Sequence, residues 1–296
     1  VLRTADLKTD GGLEAVLALA AEADVLIENF RPGTLERLGL APDVLWEANP
    51  TLVITRVTGF GQDGPHAGRP GFATIAEAMS GFADINGSPD GPPVLPPIAL
   101  TDELTAVVAA YATMAAVHAG VGQVVDVSLL DSLFSFMGHN WAAYAADGTL
   151  QPRMGSELPY SVPRNAYETA DGRWVALSAS ADTVAARVAT MVGLGDDERL
   201  RSFARRVAHR AELDAAVAAF IAERTLDEVL TAFDAADAAV APIYSMADVA
   251  EDPHFVERDA TVTVDGIAMP GLLARFSETP GRIRWAGRDE RGRPAG

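Results

Sequence analysis

Ala23-Asp24-Val25-Leu26-Ile27-Glu28-Asn29-Phe30-Arg31-Pro32-Gly33, closed by Leu35-Glu36-Arg37-Leu38-Gly39, runs from apolar residues into polar ones and then into a Pro-Gly turn. This pattern predicts a buried strand whose carboxyl end delivers polar groups to the turn. In open α/β sheets that edge is where ligands bind. An ordinary strand-turn-helix corner with Arg31 solvated fits the same residues, and the pattern alone leaves both readings open.

Outward from this stretch, helical and strand patterns alternate. Residues 13–23 carry apolar side chains at helical spacing with acids between them, and residues 52–57 (LVITRV) read as a second strand that ends in Thr58-Gly59-Phe60-Gly61. Such alternation predicts an α/β fold with a parallel sheet. Residues 61–71 are too rich in Gly and Pro for regular structure and form a loop at a strand end, where ligand contacts concentrate. Residues 72–79 read as a short helix, and 86–97 as another Gly/Pro-rich connection. A helix through Ala116 follows, with Thr101 or Asp102 as its cap. Residues 124–129 read as a strand and 131–144 as one long helix; 167–178 carry the Asp-Gly turn of a hairpin. Alanine-rich helices are expected near 182–192, 212–222 and 226–236, and strands at 240–244 and 261–264.

A chain of 296 residues with 49% hydrophobic content buries one large core, or two unequal ones, without disulfides or metals. Its 23 Lys and Arg against 41 Asp and Glu give a net charge of -18, which argues against nucleic acid and anionic membrane as partners. The absence of cysteine removes thiolate chemistry and Cys-based metal sites and suits a reducing cytoplasm, the expected location. Neither a membrane span nor a signal peptide is expected.

Asp102 is the foremost candidate for a reacting group. It stands at a helix start after a Pro-rich loop, where backbone N–H groups and the helix dipole favour a carboxylate. The same position suits a plain N-cap, worth about 1 kcal/mol, and the pattern does not choose between them. His66, His118, His139, His209 and His254 are scattered without metal-ligand spacing, so no metal is expected. Asp126 and Asp131 read as caps, and Glu28 either orients Arg31 or stays solvated.

DLKT at 6–9, ADVLIENFRPG at 23–33, TGFGQDGP at 58–65, GRPGF at 68–72, AMSG at 78–81 and DGPP at 90–93 occur in that order. VDVSLLD at 125–131, YETADGRWVALS at 167–178 and RFSETPG at 275–281 follow them. Together they resemble the family III CoA-transferases of the CaiB/BaiF type, across nearly the whole chain. The resemblance implies a Rossmann-like large CoA-binding domain (1–145), a linker (146–165), a smaller α/β domain (166–241) and a segment returning to the large domain (242–296). It implies an interlocked homodimer or, because the chain starts after the strand-helix-strand unit with which the family usually opens, a hetero-oligomer that supplies that unit. The substrates implied are an acyl-CoA and a carboxylic acid, with coenzyme A passed between them and no metal.

By motif, Asp102 takes the place of the family's nucleophilic aspartate, which forms an acyl mixed anhydride and then an aspartyl-CoA thioester. Leu7, Lys8, Asn29, Phe30, Arg31, Arg37, Gly71 and Phe72 match positions that line the CoA site, with Arg and Lys suited to phosphate and Phe to adenine or pantetheine. The related α-methylacyl-CoA racemases carry a proton-shuttling histidine where Phe72 stands, and a phenylalanine moves no proton. A racemase and a catalytically impaired partner subunit are the alternatives to a transferase. Ala106 replaces a usual glycine, and 282–296 lack the usual closing stretch.

Overall fold

The computed structural model describes residues 4–287. By their internal contacts they divide into two compact units, the first up to Ser156 and the second from Glu157 onward. The boundary falls inside the stretch read as a linker. Residues 242–287, read as a segment returning to the large domain, group with the second unit. Residues 1–3 of the expected large domain and 288–296 of the expected return segment lie outside the described residues.

The first unit contains α1 (Asp10–Ala20), β1 (Val25–Glu28), α2 (Thr34–Arg37), α3 (Pro42–Ala48), β2 (Val53–Thr58), α4 (Ala73–Met79) and α5 (Phe82–Ile85). It continues with α6 (Leu100–Ala119), β3 (Gln123–Ser128), α7 (Leu129–Ser135) and α8 (Gly138–Asp147). The strands form a parallel sheet in the order β1-β2-β3. Period-two alternation along β2 sends Leu52 and Ile54 to one face, where they pack with Ala20, Leu35, Leu40 and Leu45. On the other face the Thr55 and Thr113 hydroxyls share a 2.6 Å hydrogen bond that fixes α6 against β2. Helices on both faces of a parallel sheet are the doubly wound arrangement that the sequence predicts.

Three local expectations are corrected. α6 starts earlier than expected, with Ala99 as its cap residue, so neither Thr101 nor Asp102 is the N-cap. The single helix at 131–144 is two, because α7 closes at Phe136 and α8 restarts at Gly138, a residue that weakens a helix interior by about 1 kcal/mol. Short α3 escaped the sequence reading; it is held by Trp46 Nε1 donating to Leu52 O at 2.9 Å and by Asn49 Nδ2 donating to Ala20 O and Ala23 O at 3.0 and 2.8 Å. Among the described residues α6 is the one helix long and apolar enough to cross a membrane. One face of it packs on the sheet through Thr113, and 28% of its apolar stretch is buried.

The second unit has β4 (Arg164–Glu168), β5 (Trp174–Ser178), α9 (Asp182–Met191), α10 (Phe203–Ala208), α11 (Arg210–Ala222), α12 (Leu226–Ala235) and β6 (Val240–Pro242). α13 (Met246–Glu251), α14 (Pro253–Glu257), β7 (Thr261–Val264) and β8 (Ile267–Pro270) complete it. β4, β5 and β6 form an antiparallel sheet, and the Asp-Gly hairpin joins β4 to β5 as expected. Val175 and Leu177 pack with Val188, Leu213, Val217, Ile221, Val229 and Phe233 in a core of its own.

Candidate active site

β1 and β2 hand their carboxyl ends to loops, β3 passes directly into α7, and the three strand ends meet at one place. Asn29–Pro32 follow β1, Val57–Gly59 close β2 and enter the Gly-rich loop, and Leu129 opens the helix after β3. With Ala67, Arg69, Pro70, Gly71, Phe72 and Asp102 they enclose a cavity of about 430 Å³. The backbone of Gly59 runs so close to that of Gly71 that a Cβ on Gly59 would lie 2.6 Å from Gly71 Cα. Two glycines therefore let the loop fold back over the strand end. Asp126, on β3, tethers the same loop by accepting the Gln62 amide at 2.8 Å, in place of the capping role expected of it.

Asp102 lies in the first turn of α6, exposed at the cavity. The preceding residue, Thr101, is buried, and its hydroxyl donates to Glu77 Oε1 of α4 at 3.0 Å. α4 begins directly after Phe72, so one short helix links the aromatic wall to the turn carrying Asp102. The positive end of the α6 dipole faces any charge at Asp102. Arg31 and Arg69 line the same cavity, which carries Asp102 as its single carboxylate. Arg69 Nη1 donates to His66 Nδ1 at 3.2 Å. Phe30 is 40% and Phe72 is 72% exposed, which leaves both rings open to a ligand.

Of the residues singled out from sequence, the cavity thus gathers Asn29, Phe30, Arg31, Gly71, Phe72 and Asp102. Leu7, Lys8 and Arg37 are not in its wall. Leu7 and Lys8 belong to the turn ahead of α1, where Lys8 N donates to Asp6 Oδ1 at 3.0 Å; Arg37 Nη2 donates to Thr34 Oγ1 at 2.8 Å on α2. Arg69 went unremarked as a binding group, although it stands in the quoted GRPGF stretch. Equally unforeseen is the partner of Glu28, which pairs with neither Arg31 nor solvent but with Arg56 of β2, Nε to Oε1 at 2.6 Å. Arg56 in turn reaches Glu36 at 2.7 Å.

Hydrogen bonding from Arg56 holds the Glu36 carboxyl below the usual carboxylate range, against the opposing effect of burial. A carboxyl lowered in the folded state contributes stability above its unfolded pKa, and that contribution is lost as pH falls through the folded value. Between about pH 5 and pH 3, wild-type protein is therefore expected to lose more stability than Glu36→Gln, a difference read from melting curves of the two proteins.

A larger cavity, about 630 Å³, lies in the second unit. Its one carboxylate, Asp259, faces Arg275 at 3.5 Å and is not presented on a helix start.

The match to the model of CoA-transferase family III spans residues 3–289. The chain belongs to that family. Among curated relatives of this family III chain is the succinyl-CoA–D-citramalate CoA-transferase of Chloroflexus aurantiacus. The two are 38% identical over 96% of this chain and 74% of that protein. The alpha subunit of the succinyl-CoA–L-malate CoA-transferase of the same organism is 35% identical, over 95% of this chain and 68% of its own length. A crystal structure of a CaiB/BaiF family protein from Brucella suis superposes with a TM-score of 0.80 at 32% identity, covering 94% of this chain and 75% of that one. The family III chain is accordingly an enzyme of the acyl-CoA:carboxylate CoA-transferase type.

Proposed function

We propose that the chain moves CoA between an acyl-CoA thioester and a carboxylic acid by covalent catalysis at Asp102. The observation that carries this reading is the presence, in one cavity, of a single carboxylate on a helix start, two guanidinium groups and two open phenylalanine rings. An Asp102 oxygen attacks the thioester carbonyl, the C–S bond breaks, and CoA thiolate leaves a mixed anhydride of Asp102 and the donor acid. The thiolate then attacks the aspartyl carbonyl and expels the donor carboxylate, giving an aspartyl-CoA thioester. The acceptor carboxylate attacks that thioester, forming a second anhydride and freeing the thiolate again. Attack of the thiolate on the acceptor acyl carbon restores the Asp102 carboxylate and releases the new thioester. Every step exchanges one activated acyl group for another, so the scheme calls for neither ATP nor a metal.

In this reading Arg31 and Arg69 bind the anionic groups of CoA, and Asn29, Phe30, Gly71 and Phe72 line its path. Leu7, Lys8 and Arg37 act in a CoA-bound arrangement that draws them toward the cavity. Succinyl-CoA with citramalate or malate is the first assay to run, from the names of the relatives. Arg31→Ala and Arg69→Ala are each expected to raise the KM for acyl-CoA about tenfold with little change in kcat, because a phosphate contact made equally in ground and transition states acts on binding alone.

The reading includes a cytoplasmic location and assembly with a second copy. Val107, Tyr111 and Met114 on α6, and Phe136 and Trp141 nearby in sequence, are exposed large apolar residues in the first unit. Light scattering is expected to give twice the chain mass for the purified protein; the mass of one chain, or a requirement for a second gene product, removes the homodimer.

A further inference from the structure

The two walls of the cavity leave the sheet at the same level. Glu28, the last residue of β1, stands directly opposite Arg56 of β2 in the parallel register. The residues that follow each of them, Asn29–Pro32 and Val57–Gly59, line the cavity. At this rung the strands are joined by side chains 3% and 6% exposed: Arg56 Nε donates to Glu28 Oε1 at 2.6 Å. Glu28 Oε2 accepts the amide of Phe30 at 2.6 Å. The far edge of the guanidinium donates from Nη1 and Nη2 to the two oxygens of Glu36, at 2.7 and 3.3 Å. A chain of charge-assisted hydrogen bonds thus runs from Phe30 through Glu28 and Arg56 to Glu36 of α2, enclosing residues 31–35 between its ends.

Stability alone does not explain the arrangement. Glu28 and Arg56 are both buried, and apolar side chains of similar volume in place of a buried ion pair are often neutral or stabilising. Its specific property is geometric. Two donors, the Arg56 Nε–H and the Phe30 N–H, converge on the two oxygens of Glu28, and only a carboxylate accepts both. A glutamine of the same shape turns an NH₂ toward one of them. Arg56 in turn must reach carboxylates on two sides, which the guanidinium fork does and a lysine ammonium does not.

We propose that Glu28, Arg56 and Glu36 form a positioning clamp that holds Phe30 and Arg31 in the shape that receives the CoA thioester. The clamp sets affinity for the acyl-CoA and leaves the reaction at Asp102 to proceed at its own rate. This rests on the transferase reading above, and the test separates the two. CoA binding by wild-type protein and by Glu28→Gln is titrated calorimetrically. Glu28→Gln, Arg56→Lys and Glu36→Gln are then compared for kcat, for KM of acyl-CoA and of acceptor acid, and for amide hydrogen exchange at residues 29–31.

The clamp predicts that Glu28→Gln and Arg56→Lys raise KM for acyl-CoA about tenfold while kcat and the acceptor KM stay within about twofold. Exchange at the Phe30 amide should accelerate about tenfold or more while Val53–Thr55 in β2 stay protected. Glu36→Gln, altered at the partly exposed end of the clamp, is the variant that keeps the fold if the buried ones do not, and its shifts should be smaller and of the same sign. Faster exchange with an unchanged acyl-CoA KM makes the triad a fold element only and overturns the clamp, as does a fall in kcat at unchanged KM. Wild-type protein that binds no CoA overturns the transferase reading and the clamp's role together; binding that is identical in wild type and Glu28→Gln overturns the clamp alone.

Discussion

Asp102→Ala is expected to abolish CoA exchange, lowering kcat by at least about a thousandfold, because no other group on the cavity wall can carry the acyl group. The remaining groups there are guanidinium, amide, aromatic and aliphatic, together with the Thr58 hydroxyl, which accepts the Gly61 amide at 2.9 Å. Asp102→Asn keeps the size and removes the charge, and it should fail as completely. Stability should change little in either variant, since Asp102 is exposed and is not the N-cap that its sequence position suggested. Wild-type protein incubated with acyl-CoA and hydroxylamine should accumulate an Asp102 hydroxamate, visible by peptide mass. Full exchange activity in Asp102→Ala, or trapping at another residue, removes Asp102 from the mechanism.

Gly59→Ala carries the second-largest expected effect, and its cause is one methyl group. The added Cβ would lie 2.6 Å from Gly71 Cα and 3.0 Å from its carbonyl carbon, so backbone meets backbone and no side chain can rotate away. Gly59 cannot retreat freely, since its carbonyl accepts the Leu130 amide of α7 at 3.2 Å. Forcing the two strands of chain apart is expected to destabilise the first unit by ~1–3 kcal/mol. It should also widen the cavity wall between Val57–Gly59 and Pro70–Phe72, raising the acyl-CoA KM and lowering kcat together. Gly68→Ala, in the same loop with open space around its Cβ and no positive φ, is the control and should match wild type in melting and in kinetics. Equal behaviour of the two variants contradicts the close approach.

Much of the cavity is legible in the sequence. β1 and β2 announce themselves as apolar runs ended by polar residues and glycine; the structure buries β2, but β1 is the outer strand of the three and leaves Ile27 67% exposed, so the expected burial of β1 is corrected. The Gly-rich segment after β2 reads as a loop because its residues cannot sustain a helix or a strand. Six of the nine residues chosen for binding or catalysis stand on the cavity wall, and each adjoins the end of a strand or the start of a helix. Arg37 stands off the cavity wall, where a helical arginine answers to a neighbour one turn away and Thr34 takes it. The expected cap at Thr101 or Asp102 failed because Leu100 already belongs to the helix, so the capping pattern lay inside the element it was meant to begin.

The order of strands and helices, the loops at the strand ends and the carboxylate at the head of α6 follow from the chain itself, since they depend on local periodicity and on residues that break it. Which charged groups meet was decided only by the tertiary structure. Glu28 and Arg56 are separated by a turn, two helices and a loop, and they pair because the register of two parallel strands sets them opposite each other. Register is a property of the sheet, so no reading of either strand alone contains it. The ENFRPG stretch therefore specifies its own strand and turn, while the strand beside it supplies the charge that holds that turn in place.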